Sequence, residues 1–162
     1  MRRGARRRWR LEDWRYTDLR QALTKAAFAP APTHRGAVVL PDAAMRPSVA
    51  AFDAIERHVM VFVNGVFRAE MSRLADLPVS VEIAPLSGAI GREWVREMLD
   101  AKDAEAPQAA GIVSLNTALM RDGAAIRVGA GAKLDKPLHL LFIAADGGTS
   151  HTRNLVRLEE GA

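Results

Sequence analysis

The hydrophobic period of this chain changes once, between Pro107 and Ala145, and that change constrains the fold more than any other feature. Ahead of it, Ile112, Leu115, Leu119 and Met120 recur at helical spacing, and Asn116-Thr117-Ala118 continues the same helix. Arg121-Asp122-Gly123 breaks the pattern, with Gly123 placed for the left-handed residue that ends a helix. Beyond that point the period is two: Ala124, Ile126 and Val128 alternate with Ala125, Arg127 and Gly129. Gly129-Ala130-Gly131 turns the chain, and Lys136-Pro137 sets an extended lead into a second strand, Leu138 to Ala144. That strand is almost continuously apolar, which predicts burial on both faces, as in a parallel sheet or a stacked solenoid. A helical front half hands over to layered β structure.

Size and composition limit what that architecture can be. With 162 residues, 49% of them hydrophobic, the chain can bury a core as one domain or as a small domain plus part of another. No window is long and apolar enough for a transmembrane helix. The arginine-rich start lacks the apolar segment of a secretory signal, and Glu12 and Asp13 argue against a transit peptide. The absence of cysteine excludes disulfides, a catalytic thiol and thiolate ligands, so a cytoplasmic setting is expected. Six arginines in the first ten residues exceed the whole net charge of +4, so the rest of the chain carries −2. The body is not basic. Residues 1–8 are expected to be a solvated, disordered basic tail, and a nucleic-acid-binding module using the arginine run is the alternative.

In chain order, Trp9, Trp14 and Tyr16 read as anchors that dock a segment on a core. Thr17 caps a short helix with Leu19, Leu23, Ala26 and Ala27 on one face, and Pro30 and Pro32 stop it. Ala37 to Leu40 is consistent with a strand or extended loop, and Ala43 to Glu56 with one or two helical turns. The clearest local signal is His58 to Ser72, where Asn64-Gly65 lies between two β-rich runs and predicts a two-residue hairpin. Val79 to Ile83 predicts another strand. Leu86 to Ala101 reads as a helix burying Ile90, Trp94, Val95, Met98 and Leu99, with Arg92, Glu93, Arg96 and Glu97 in water. Lys102 to Ala106 is a polar linker, and Asp146-Gly147-Gly148 turns into a last strand, His151 to Leu158. These readings make a domain over residues 9–106 and a second region over residues 107–162.

No catalytic, cofactor-binding or metal-ligating set emerges. His34, His58, His139 and His151 are scattered, and a backbone hydrogen bond is expected for His139. Glu93 and Glu97 share a solvated helix face beside arginines, which suits ion pairing better than acid–base chemistry. Gly129 and Gly131 precede a strand, unlike the glycines of a dinucleotide fingerprint, and Ser114 lies mid-helix without a nucleophile elbow. Bottom-up, the sequence specifies an α+β domain. A small enzyme would need a site assembled only in three dimensions, around His139 or His151.

Four stretches in register resemble a known family. They are Glu12-Asp13-Trp14-Arg15-Tyr16-Thr17-Asp18-Leu19; Val61 to Phe67 with Ser72-x-Leu74; Leu115-Asn116-Thr117-Ala118-Leu119 with Asp122-Gly123, Ile126, Val128 and Pro137 to Leu140; and His151-x-Arg153-Asn154-Leu155-Val156 ending at Glu159-x-Gly161-Ala162. Together they are similar to the N-terminal part of the SufB/SufD family of iron–sulfur cluster assembly proteins, closest to SufD. The resemblance implies a small helical and β N-terminal domain leading into the first coils of a right-handed parallel β-helix. It also implies a non-enzymatic subunit of the SufBCD scaffold, partnered by a SufB-like subunit and the SufC-like ATPase, with no cofactor in this portion. Iron or an iron–sulfur cluster is then cargo of the full complex. Family members usually begin with a further helix and a Gly-Leu-Pro segment, where this chain has MRRGARRR, and they continue well past Ala162. The regions expected to meet partners and cluster fall in that continuation, so no functional residue of the family is carried onto a position here. The expectation is a fragment or a truncated product, with an uncovered β edge at its C-terminal end.

Overall fold

The computed structural model describes residues 52–101, 110–145 and 148–162. The basic tail, the tryptophan anchors, the helix capped by Thr17, the run Ala37 to Leu40, His34 and the linker Lys102 to Ala106 lie outside the described residues.

The hairpin forms where asparagine–glycine chemistry places it. Strand β1 (His58–Val63) turns through Asn64 and Gly65 into β2 (Val66–Phe67). Both turn residues have positive φ, 51° and 78°, which a two-residue turn of this hand requires. The return strand is short because a 3₁₀ turn, Ala69–Met71, follows it. The chain then runs through β3 (Val81–Pro85), α1 (Leu86–Ala89), α2 (Glu93–Asp100), α3 (Ala110–Leu119), β4 (Ala124–Val128), β5 (Leu138–Ile143) and β6 (Leu155–Leu158).

The six strands make two three-stranded sheets, β2-β1-β5 and β3-β4-β6. In each, the first pair is antiparallel and the second parallel. From β4 the chain crosses to β5 in the other sheet and returns to β6, which pairs beside β4 with Ala125 opposite Leu155. The sheets face one another across a core that includes Met60, Phe62, Val81, Ala124, Ile126 and Val128. The outer face of β3-β4-β6 is covered by α1 and α2 through Leu86, Ala89, Trp94 and Val95, which meet Ala125 and Leu155. Val59, Val61 and Val63 are buried on the outer face of the other sheet, against Met71, Leu141, Ile143 and Ala145. The α+β class expected from the sequence is observed. The described residues complete one circuit between two sheets and do not make a parallel β-helix.

Five details depart from the sequence reading. The last strand, expected from His151, begins at Leu155, the segment before it being held by side-chain hydrogen bonds from Asn116 and Arg153. The helix expected over Leu86 to Ala101 is two: Arg92 adopts extended backbone (ψ 138°) between α1 and α2, which leaves Ile90 half exposed while Trp94 and Val95 are buried as expected. The strand expected over Val79 to Ile83 begins at Val81 and runs through Pro85, leaving Val79 exposed in a turn. Gly123 does not have positive φ; the chain needs glycine there because a Cβ would lie 1.8 Å from the Arg153 carbonyl oxygen. Finally, the doubly buried strand is β1, every residue of which is buried, whereas β5 is only half-buried at the sheet edge.

Candidate functional site

The residues of the recognised stretches that the structure describes are chiefly fasteners. Asp122, buried ahead of β4, accepts hydrogen bonds at Oδ1 from the amides of Ser87 (3.0 Å) and Gly123 (2.9 Å), and at Oδ2 from that of Phe67 (3.3 Å). One carboxylate thereby ties the hairpin, α1 and β4 together. Asn116 Nδ2 donates to the Thr152 carbonyl at 3.0 Å, and Arg153 Nη1 to Thr117 Oγ1 at 2.6 Å, so α3 is pinned to the segment before β6. Asn154 Oδ1 accepts from the Ala124 amide at 2.9 Å, and Asn64 Oδ1 from the Ala145 amide at 2.8 Å. Polar side chains at strand ends thus satisfy amides, most of them part-buried, that no ladder partner reaches.

The histidines do not converge. His58 is buried with Nε2 3.7 Å from Asp135 Oδ1, while His139 packs its ring edge-on against Phe52 at 5.3 Å. The backbone hydrogen bond expected for His139 is not seen at Nδ1, which is buried and unpartnered, as is Nε2 of His151. Among the described residues, no three histidine, aspartate or glutamate side chains are grouped to hold a metal ion. Glu97 pairs with Arg157 at 3.0 Å, the ion-pair role expected for that helix face. A polar cavity of about 460 Å³ beside Arg57, His58 and Lys136 holds balanced charges, with Arg57 paired to Asp53 and Lys136 to Glu56. No described helix is long and apolar enough to cross a membrane.

What the arrangement offers instead, among the described residues, is an open end. The two sheets share in-register ladders of like side chains: Phe67–Phe62–Phe142 in one, and Ile83–Ile126–Val156 and Val81–Val128–Leu158 in the other. In each the middle member is buried and the last is uncovered, with Phe142, Val156 and Leu158 43%, 50% and 64% exposed. Phe142 stacks on Phe62 with ring centroids 5.0 Å apart and planes 11° apart, close to the spacing of neighbouring strands. The backbone agrees. His58 donates to the Pro137 carbonyl and Asn64 to that of Ile143, so by the alternation of a parallel ladder Leu138, Leu140 and Phe142 turn their amides away from β1. Glu159 donates to the Val128 carbonyl, which turns those of Val156 and Leu158 away from β4.

The opposite end is protected. Its outer strand β2 has two residues, and Pro78 and Pro85 flank and close β3, devices that discourage further pairing. Leu138-His139-Leu140-Leu141-Phe142-Ile143 has neither proline, lysine nor carboxylate. Sequence reasoning anticipated an uncovered edge at this end but not which side chains would be bare. The signal was available in the apolar identity of positions thirty residues apart, Ile126 and Val156, Val128 and Leu158.

Comparison with known proteins adds to this geometry. The model of a family described as the SufBD protein N-terminal region matches residues 3–140. An iron–sulfur cluster assembly SufBD family protein of Synechocystis sp. is 33% identical over 135 residues, covering 82% of this chain and 27% of that protein. The chain therefore spans about a quarter of the length of the curated relative it matches.

Proposed function

The chain belongs to the SufB/SufD family of iron–sulfur cluster assembly proteins, and on that premise we propose that it serves cluster assembly as a non-catalytic, SufD-like subunit of a SufBCD scaffold. The family match over residues 3–140 carries this reading. The open end of the two sheets supports it physically. Strands β4, β5 and β6 trace one circuit in which β5 lies parallel to β1 and β6 parallel to β4 in the same sheets, the local geometry of a solenoid coil. We take this circuit as the first coil of a right-handed parallel β-helix, for which the antiparallel hairpin and β3 form the starting cap. In this account the described residues are a foundation, and the surfaces that meet SufB-like and SufC-like subunits, and the cluster or iron as cargo, lie on the coils stacked above. The setting is cytoplasmic, in keeping with an assembly run by soluble partners.

Co-purification tests the proposal. A chain carrying the family's full length, expressed with SufB-like and SufC-like subunits, is expected to be recovered with both, whereas residues 1–162 alone capture neither. Capture of the ATPase by residues 1–162 contradicts the placement of partner surfaces, and a full-length chain that recovers no Suf partner contradicts the function.

A further inference from the structure

The uncovered face of Phe142 is where the open end distinguishes one incoming strand from another. Phe67, Phe62 and Phe142 form a continuous aromatic column across β2, β1 and β5, with neighbouring centroids 5.9 Å and 5.0 Å apart. The aliphatic ladders of the other sheet accept any residue of suitable size, because dispersion contacts between such chains carry little directional preference. An aromatic pair does carry one, since ring quadrupoles favour offset stacking at about this separation.

We propose that Phe142 sets the register of the strand that covers β5, and that this strand lies parallel to β5 with an aromatic residue stacked on Phe142. The inference rests on the reading of the open end as the base of a stack. The occupant is a further extended segment of a longer chain of this family, for which the curated relative's much greater length leaves ample sequence. A slip of two residues would keep the apolar face inward yet stack the incoming aromatic on Leu140, losing the ring–ring contact. A second copy of the chain, added antiparallel about a two-fold axis normal to the sheet, brings Phe142 opposite Leu138 or Leu140 for pairings centred on Leu140 or Leu141. An antiparallel pairing centred on Phe142 would bring the two rings together but pairs only Leu141 to Ile143 of each strand, so the aromatic column with full strand overlap favours parallel extension.

The test is a titration of the isotopically labelled 162-residue chain, followed by NMR, with two soluble peptides. One carries the sequence Leu138–Ile143 between lysine pairs, and the other has leucine in place of its phenylalanine. The first is expected to shift the outward amides of Leu138, Leu140 and Phe142 and to bind about two- to tenfold more tightly than the second. That advantage should vanish in Phe142→Leu, while Val156→Ala, on the other sheet, preserves it. Equal binding of both peptides to the parent chain overturns the register role while leaving the open end standing. No binding by a chain that sediments as a monomer overturns both, and no binding by a chain that sediments as a dimer assigns the surface to a second copy.

Discussion

Replacing Gly123 by alanine puts a methyl group where the chain has no room for one. The added Cβ would stand 1.8 Å from the carbonyl oxygen of Arg153, 2.6 Å from its carbonyl carbon and 3.0 Å from its nitrogen. All three are backbone atoms, so no rotamer change relieves the clash and the strand start must move away from the segment before β6. That movement strains four hydrogen bonds at once: Leu86 N to Gly123 O (2.7 Å), Arg153 N to Asp122 O (3.2 Å), Ala124 N to Asn154 Oδ1 (2.9 Å) and Gly123 N to Asp122 Oδ1 (2.9 Å). At about 0.5–1.5 kcal/mol each, losing two to four of them costs roughly 1–6 kcal/mol. A domain of this size holds about 5–15 kcal/mol in total, so the variant should be severely weakened. Gly131→Ala is the control, because its φ of 67° imposes strain but nothing lies within 4 Å of the added Cβ. That substitution should cost about 1 kcal/mol. Urea unfolding followed by circular dichroism compares the two. Equal losses in both variants would refute the close-approach argument and reduce Gly123 to an ordinary loop glycine.

Three further outcomes follow from named contacts. Asp122→Ala removes the acceptor for three amides and should cost about 2–5 kcal/mol in the same urea assay, with Asp122→Asn recovering part of the loss; a change below about 0.5 kcal/mol for alanine contradicts the fastener role. Glu159 has its carboxyl held below the ordinary range, first by the hydrogen bond from Arg127 Nε (2.7 Å), with the charges of Arg127 and Arg157 and the Ala130 amide adding to it and burial opposing. A lowered folded-state value means the contribution is present above the ordinary carboxylate range and is lost as pH falls through the folded value, so melting temperatures of Glu159→Gln and the parent should converge on acidification. A gap that widens in acid has the wrong sign. Leu158→Lys with Phe142→Lys charges the open end and should reduce self-association of the 162-residue chain in sedimentation velocity; a parent chain that is already monomeric at high concentration removes the basis for that expectation.

How far these features were legible depends on whether their cause was local. Asn64-Gly65 announced its hairpin because positive φ at two successive residues is a property of the dipeptide itself. The alternation from Ala124 to Val128 fixed β4 for a similar reason. Gly123 misled because its constraint comes from Arg153, a neighbour only after β6 has paired with β4. The apolar run of β5 matched a doubly buried strand, yet its place at the sheet edge is a matter of strand order, which composition does not encode. In the same way, Asp122 read as part of a helix-ending break and Asn154 as part of the last strand, and only the fold shows their side chains completing the hydrogen bonds of Phe67, Ser87 and Ala124. The open end was foreseeable as an edge, but its aromatic column required the register of β1 against both neighbours.

Amide hydrogen exchange on the monomeric 162-residue chain reports whether a further strand already covers β5 and β6. If the end formed by β5 and β6 is open, the amides of Leu138, Leu140, Phe142, Val156 and Leu158 exchange at least about a hundredfold faster than the β1 amides of Met60 and Phe62, which lie in the buried middle strand. Protection of those five amides equal to that of β1 would mean that the end is already covered, and the account of this chain as the base of a stack would be wrong.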